Sequence, residues 1–172
     1  MQSAGKKSTY DLALCGIMTA LALVFGYIEH LVPFPIGIYG IKLGLANLVV
    51  VVMLYRFKWY TALSINLLRI FISFLLFGSA TSLIYSLCGG VLSFLAMLLI
   101  SRIKRPSFSA LGVSICGGIT HNCGQLLAAT ILLDELRLTF YLPVLVITGA
   151  VTGTVIGLIA LLILKNPLFK NK

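Results

Sequence analysis

Long apolar runs broken by short polar segments dominate this chain. A helix that crosses a bilayer needs roughly 20 mainly apolar residues. Six runs of about that length are predicted as helices over 10–29, 41–56, 59–77, 80–101, 109–133 and 140–164. Pro33 and Pro35 mark the connection between the first two, and Pro106 the one before the fifth. A short segment at Gly78, Ser79 and Ala80 parts the third run from the fourth, because the two together are too long for one span. The expected fold is an all-α integral membrane protein, one six-helix domain over 1–172. Aqueous segments of about ten residues are too short to build a separate soluble domain.

Composition agrees. Charged residues make up 10% of the chain and hydrophobic ones 60%, whereas a soluble domain carries about a quarter charged residues. A net charge of +9 would point to nucleic acid in a soluble protein. Here the distribution of the charge turns it into a topology signal. Lys6, Lys7, Arg56, Lys58, Arg102, Lys104, Arg105, Lys165, Lys170 and Lys172 all fall on one side of a six-span arrangement. Glu29, Asp134 and Glu135 fall on the other, with Arg137. The positive-inside rule then puts both termini in the cytoplasm. No cleavable signal peptide is expected, since no small-residue cleavage site ends the first apolar run. Cys15, Cys88, Cys116 and Cys123 lie inside apolar stretches without a CxxC pair, which reads as packing rather than a zinc site or disulfide framework.

Candidate chemistry lies in polar residues that lipid should have excluded. Arg69 stands about 15 Å from the inner boundary of its helix at 1.5 Å per residue. Burying it costs at least about 2.5–3.5 kcal/mol unless something compensates. It lines a wet cavity, satisfies itself on carbonyls and amides, or binds an anion. In the fifth helix His121 and Gln125 are four apart on one face, and Asn122 is three from Gln125. Asn47 lies at a similar outer depth, and Lys42 opens the second helix from that side. The overlap in depth predicts one pocket from Lys42, Asn47, Arg69, His121, Asn122 and Gln125, with Tyr39, Ser82 and Tyr85 as possible lining. The plainer alternative is that Asn47 and Asn66 merely bond across helix interfaces, that Lys42 snorkels, and that Glu29 and His30 are solvated. A ligand recognised by such groups is a small, partly hydrophobic anion; no carboxylate or thiolate cluster suits a metal. Gly16 and Ala20 form a small-xxx-small pair that serves internal packing or the approach of another helix, and Gly149, Gly153 and Gly157 read as a close-packed seam.

Several of these segments resemble a bacterial family, heptaprenyl diphosphate synthase component I, also called Gx transporter proteins. They are Ile41–Lys42–Leu43–Gly44–Leu45–Ala46–Asn47–Leu48, Arg69 with Leu76–Phe77–Gly78, Ser86–Leu87–Cys88–Gly89–Gly90 with Ser93 and Met97, and His121–Asn122–Cys123–Gly124–Gln125–Leu126. The resemblance spans nearly the whole chain. Its members look like the substrate-binding S components of energy-coupling factor transporters: six-helix proteins of the bacterial cell membrane that capture a vitamin-like ligand near the outer surface. It implies a coupling membrane subunit and two ATPases as partners, with Gly16 and Ala20 where the coupling surface would lie, glycine standing in place of the more usual alanine.

The two family names point to different functions. Prenyl transfer between diphosphates needs aspartate-rich clusters to hold magnesium, and this chain has four acidic residues in all. No catalytic residue, cofactor or metal is therefore expected, and without a Walker motif any ATP-driven step belongs to partners. A channel would carry polar residues along a whole path, but these are confined to the outer half. The expectation is an S component for a vitamin-like or quinone/isoprenoid-precursor molecule; the alternative is a non-catalytic membrane accessory of a polyprenyl diphosphate synthase.

Overall fold

The computed structural model describes residues 2–31, 44–103 and 109–166, with side chains from Thr9 onward. All regular structure among them is helical: α1 Gln2–Leu31, α2 Leu45–Arg56, α3 Trp59–Phe77, α4 Ala80–Ser101, α5 Ala110–Leu133 and α6 Leu142–Lys165, with a 3₁₀ turn at Leu136–Tyr141 before the last. Helix α1 starts well before residue 10, because hydropathy marks a span while its polar first turns are still helical. Lys42 and Tyr39 fall outside the described residues, as does the expected start of the second helix at 41.

The helix ends have local causes. Gly78 and Ser79 separate α3 from α4: Ser79 accepts from Ser82 N–H and Ser82 returns the bond to Ser79 N–H, a reciprocal cap. A Cβ on Gly78 would stand 2.6 Å from Phe74 Cα, so the tight reversal requires glycine. Asp134 ends α5 with φ of 50°, a left-handed turn that a short polar side chain tolerates. Pro143 sits in the first turn of α6, where its missing N–H costs nothing.

Cross-helix contacts show neighbours running antiparallel. Arg56 pairs with Asp11 at 3.4 Å at one end of α1 and α2, and Glu29 meets Leu45 at the other. Asn66 meets Gly90 between α3 and α4, Ser93 meets Gly117 between α4 and α5, and Asn122 meets Leu145 between α5 and α6. Arg56, Arg102 and Lys165 close helices at one end of the bundle; Glu29, Asp134 and Glu135 lie at the other.

Four segments are long and apolar enough to cross a membrane: Thr9–Leu31, Trp59–Phe77, Ala80–Ser101 and Leu136–Lys165. That set marks a membrane protein. The two helices outside it are the most enclosed. Eight of the twelve residues of α2 are buried, with Val49 to Met53 at most 1% exposed. A helix apolar all round is a core helix, and α2 packs against α1, α3, α4, α5 and α6. Half of α5 is buried, and it carries the polar residues that lower its hydropathy. The outer helices shield these two: Leu12, Leu75, Leu99 and Leu162 are each at least 68% exposed.

The seam read in α6 is present and faces α5. A Cβ on Gly118 would lie 2.3 Å from the Gly149 carbonyl oxygen, and one on Gly153 would lie 2.7 Å from Ile115 Cα. Backbone meets backbone there, which only glycine allows. On α1 the result differs. Gly16 and Ala20 are exposed, and a Cβ on Gly16 would meet nothing within 4 Å. Internal packing does not explain this pair.

Candidate functional site

Near the amino end of α2, the helices enclose a narrow crevice lined by Gly44, Asn47, Ser114, Gly118, His121, Asn122, Thr152, Gly153 and Ile156. It leaves no room for a water-sized sphere. Three residues expected to share a pocket therefore do meet: Asn47 from α2, and His121 and Asn122 from α5. All three are at most 5% exposed. The glycines at 118 and 153 let α5 and α6 approach closely enough to wall the crevice.

Polar groups within it are unevenly satisfied. Asn122 Nδ2 donates to Leu145 O at 3.0 Å, so its amide also stitches α5 to α6. His121 Nε2 and Gln125 Nε2 are 3.1 Å apart along one face of α5. With the imidazole nitrogen accepting, Gln125 Oε1 is left buried without a partner, as is Asn47 Nδ2. A buried polar atom without a partner costs about 1–3 kcal/mol. Such atoms are rare in folded proteins, and each calls for a specific explanation.

Arg69 does not line the crevice. It sits on α3, 8% exposed, and its Nε donates to Asn66 Oδ1 at 3.0 Å. Asn66 Nδ2 in turn donates to Gly90 O on α4 at 3.1 Å. The structure thus splits the expected pocket into two polar groups on either side of α4. Gly89 and Gly90 join them: a Cβ on Gly89 would meet Gln125 Cγ at 2.8 Å and His121 O at 2.9 Å, and one on Gly90 would meet Ile70 at 2.9 Å and Asn66 at 3.5 Å. The result is a buried polar band running from Arg69 and Asn66, past the two glycines, to Gln125, His121 and the crevice. Ser82 is engaged in the α4 cap and Tyr85 packs with Ala128 and Ala129, so neither joins the band.

Asn66 bonds across the interface of α3 and α4, as its plainer reading expected, and its place three residues before Arg69 also brings their side chains together. One member was not read from the sequence. Glu29 reads as solvated from its position at a helix end, but it is half-buried and Oε1 accepts from Leu45 N–H at 2.5 Å. The sequence hint was weak: one of four acidic residues, placed just before a helix junction.

A family model described as heptaprenyl diphosphate synthase component I matches residues 18–163. The chain belongs to this family. The matched segment takes in the whole polar band, from Glu29 through Asn122 and Gln125, and Ala20 but not Gly16. No curated protein and no solved structure shows significant similarity to the chain. The family description names a component of a synthase and assigns no residue a role.

Proposed function

We propose that this family member is the substrate-binding membrane component of an energy-coupled importer, taking up a small anionic molecule of vitamin-like or quinone/isoprenoid-precursor type. On this reading six helices span the bacterial cytoplasmic membrane and both termini are cytoplasmic, since the basic helix ends share one side. Asn47, His121, Asn122 and Gln125 hydrogen-bond the polar edge of the ligand. Arg69 supplies positive charge at the far end of the band, and Lys42 is a further candidate.

One observation carries the reading: a buried polar band that the bundle does not satisfy by itself. Asn47 Nδ2 and Gln125 Oε1 are without partners, next to a histidine and two glycine pairs that bring backbones together. A band serving only helix packing would pair its own atoms, as Asn66 and Ser93 do. The position of the band favours binding from one side, because the inner half of α2 is apolar from Leu48 to Leu54. Release to the other side then needs partners, which fits a coupling subunit and ATPases. Exposed Gly16 and Ala20 offer such a subunit a shallow strip on α1.

The family description favours a second reading, a non-catalytic membrane accessory of a prenyl diphosphate synthase. A chain with four acidic residues has little to hold magnesium against a diphosphate, so the synthase chemistry would belong to the partner. Co-expression separates the two. Affinity-tagged protein is expected to bring down a coupling membrane subunit with its ATPases from a bacterial membrane extract. Recovery of a soluble prenyl synthase without those subunits would replace the importer reading with the accessory one.

A further inference from the structure

Glu29 makes a contact that local helix chemistry does not supply. Helix α2 begins after Gly44, which is in the left-handed conformation with φ of 73° and has no side chain to cap the first turn. The acceptor for the first N–H, that of Leu45, comes instead from α1: Glu29 Oε1, sixteen residues earlier in the chain. A carboxylate at a helix amino terminus is the arrangement by which proteins hold free anions, with N–H groups and the helix dipole both favouring negative charge. A second donor points into the same corner. Asn47 Nδ2, on a residue 5% exposed, has no hydrogen-bond partner and lies 3.4 Å from where a Cβ on Gly44 would stand. Gly44 and Asn47 both line the crevice. The corner thus holds an acidic group borrowed from another helix and an unused amide donor beside it.

We propose that the amino end of α2 is an oxyanion seat, that the Glu29 carboxylate occupies it as an internal stand-in, and that an external carboxylate or phosphate group binds by displacing Glu29 from Leu45 N–H and engaging Asn47 Nδ2. The proposal rests on the reading that the crevice binds a small anion and names the group of the ligand that is recognised there. The seat selects oxyanions over neutral ligands, because a neutral group would leave the helix terminus without the negative charge it now holds.

The sequence provides a clean reporter. Gly–Leu occurs twice, at Gly44–Leu45 and Gly157–Leu158. Protein labelled with ¹³C-carbonyl glycine and ¹⁵N-leucine, in a maltoside detergent that carries no phosphate, therefore gives two carbonyl-filtered amide peaks. Titration with inorganic diphosphate, and separately with acetate, is expected to move the Leu45 peak and leave Leu158 in place; the probe that saturates at lower concentration tells phosphate from carboxylate preference. Glu29→Gln keeps an acceptor for Leu45 but removes the competing charge, and is expected to tighten oxyanion binding about five- to tenfold. Asn47→Leu is expected to weaken it, with an unmoved Leu158 peak reporting that the bundle is folded. A Leu45 peak that neither oxyanion moves in wild type or Glu29→Gln, or binding no tighter in Glu29→Gln, overturns the proposal. A small molecule that binds the protein without moving Leu45 also overturns the seat, yet leaves the substrate-binding reading standing. An oxyanion seat in a protein that never recruits ATPases would do the reverse.

Discussion

Replacing Gly118 with alanine puts one methyl group into the tightest contact of the bundle. Its Cβ would lie 2.3 Å from the Gly149 carbonyl oxygen and 3.2 Å from Gly153 Cα, where ordinary contact begins at 3.4 Å. These neighbours are backbone, so no side chain can swing away, and α5 and α6 must part locally by about 1 Å. Overpacking of this kind costs about 1–3 kcal/mol. One turn along the same interface, the bond from Asn122 Nδ2 to Leu145 O spans 3.0 Å and would be stretched beyond hydrogen-bonding range by the same movement, adding about 0.6 kcal/mol. The expected destabilisation is about 2–4 kcal/mol. It can be read from unfolding in mild detergent titrated with a denaturing one, followed by the fluorescence of Trp59, the single tryptophan. Gly16→Ala is the control: its Cβ would meet nothing within 4 Å, and the better helix propensity of alanine should put its midpoint at or slightly above that of wild type. Matching midpoints for Gly118→Ala and wild type would refute the close approach of α5 and α6, and with it the wall of the crevice.

Other perturbations sort structural from functional roles. Asn66→Leu removes the bridge from Arg69 to Gly90 and should cost about 1–3 kcal/mol in the same unfolding assay; a neutral result would mean the bridge is not formed. Arg69→Ala should weaken ligand binding about tenfold or more, measured by calorimetry once a ligand is in hand, while the protein still inserts; unchanged affinity would make Arg69 purely structural. Ala20→Leu should leave stability and ligand affinity intact while preventing co-purification of a coupling subunit, and normal recovery would remove α1 from the docking surface. Asp11→Asn breaks a partly exposed ion pair, with side chains 43% and 18% accessible, so it should lower stability by less than about 1 kcal/mol.

Hydropathy and turn chemistry made most of the fold legible. The helices expected over 59–77 and 80–101 coincide with α3 and α4, because Lys58, Gly78, Ser79 and Arg102 punctuate them sharply. The fifth begins one residue later than expected, and the sixth starts at Leu142 because the preceding residues wind into a 3₁₀ turn that hydropathy cannot tell from a helix. The site was legible where it is local: the i, i+4 spacing of His121 and Gln125 brings their side chains together. It was not legible where it depends on which helices are neighbours. Depth along a helix placed Arg69 level with the crevice, but the side of α4 on which a residue lies is set by tertiary packing. Glu29 reaching across to Leu45, and the exposure of Gly16 and Ala20, follow from the same packing and have no signature in spacing.

Native mass spectrometry of the protein purified in mild detergent shows whether the buried polar band binds a small anion. A co-purified anionic small molecule is expected, lost or much reduced in Arg69→Ala and in Asn47→Leu. Lipid alone in the wild-type spectrum, or a bound molecule retained in full by both variants, would contradict it.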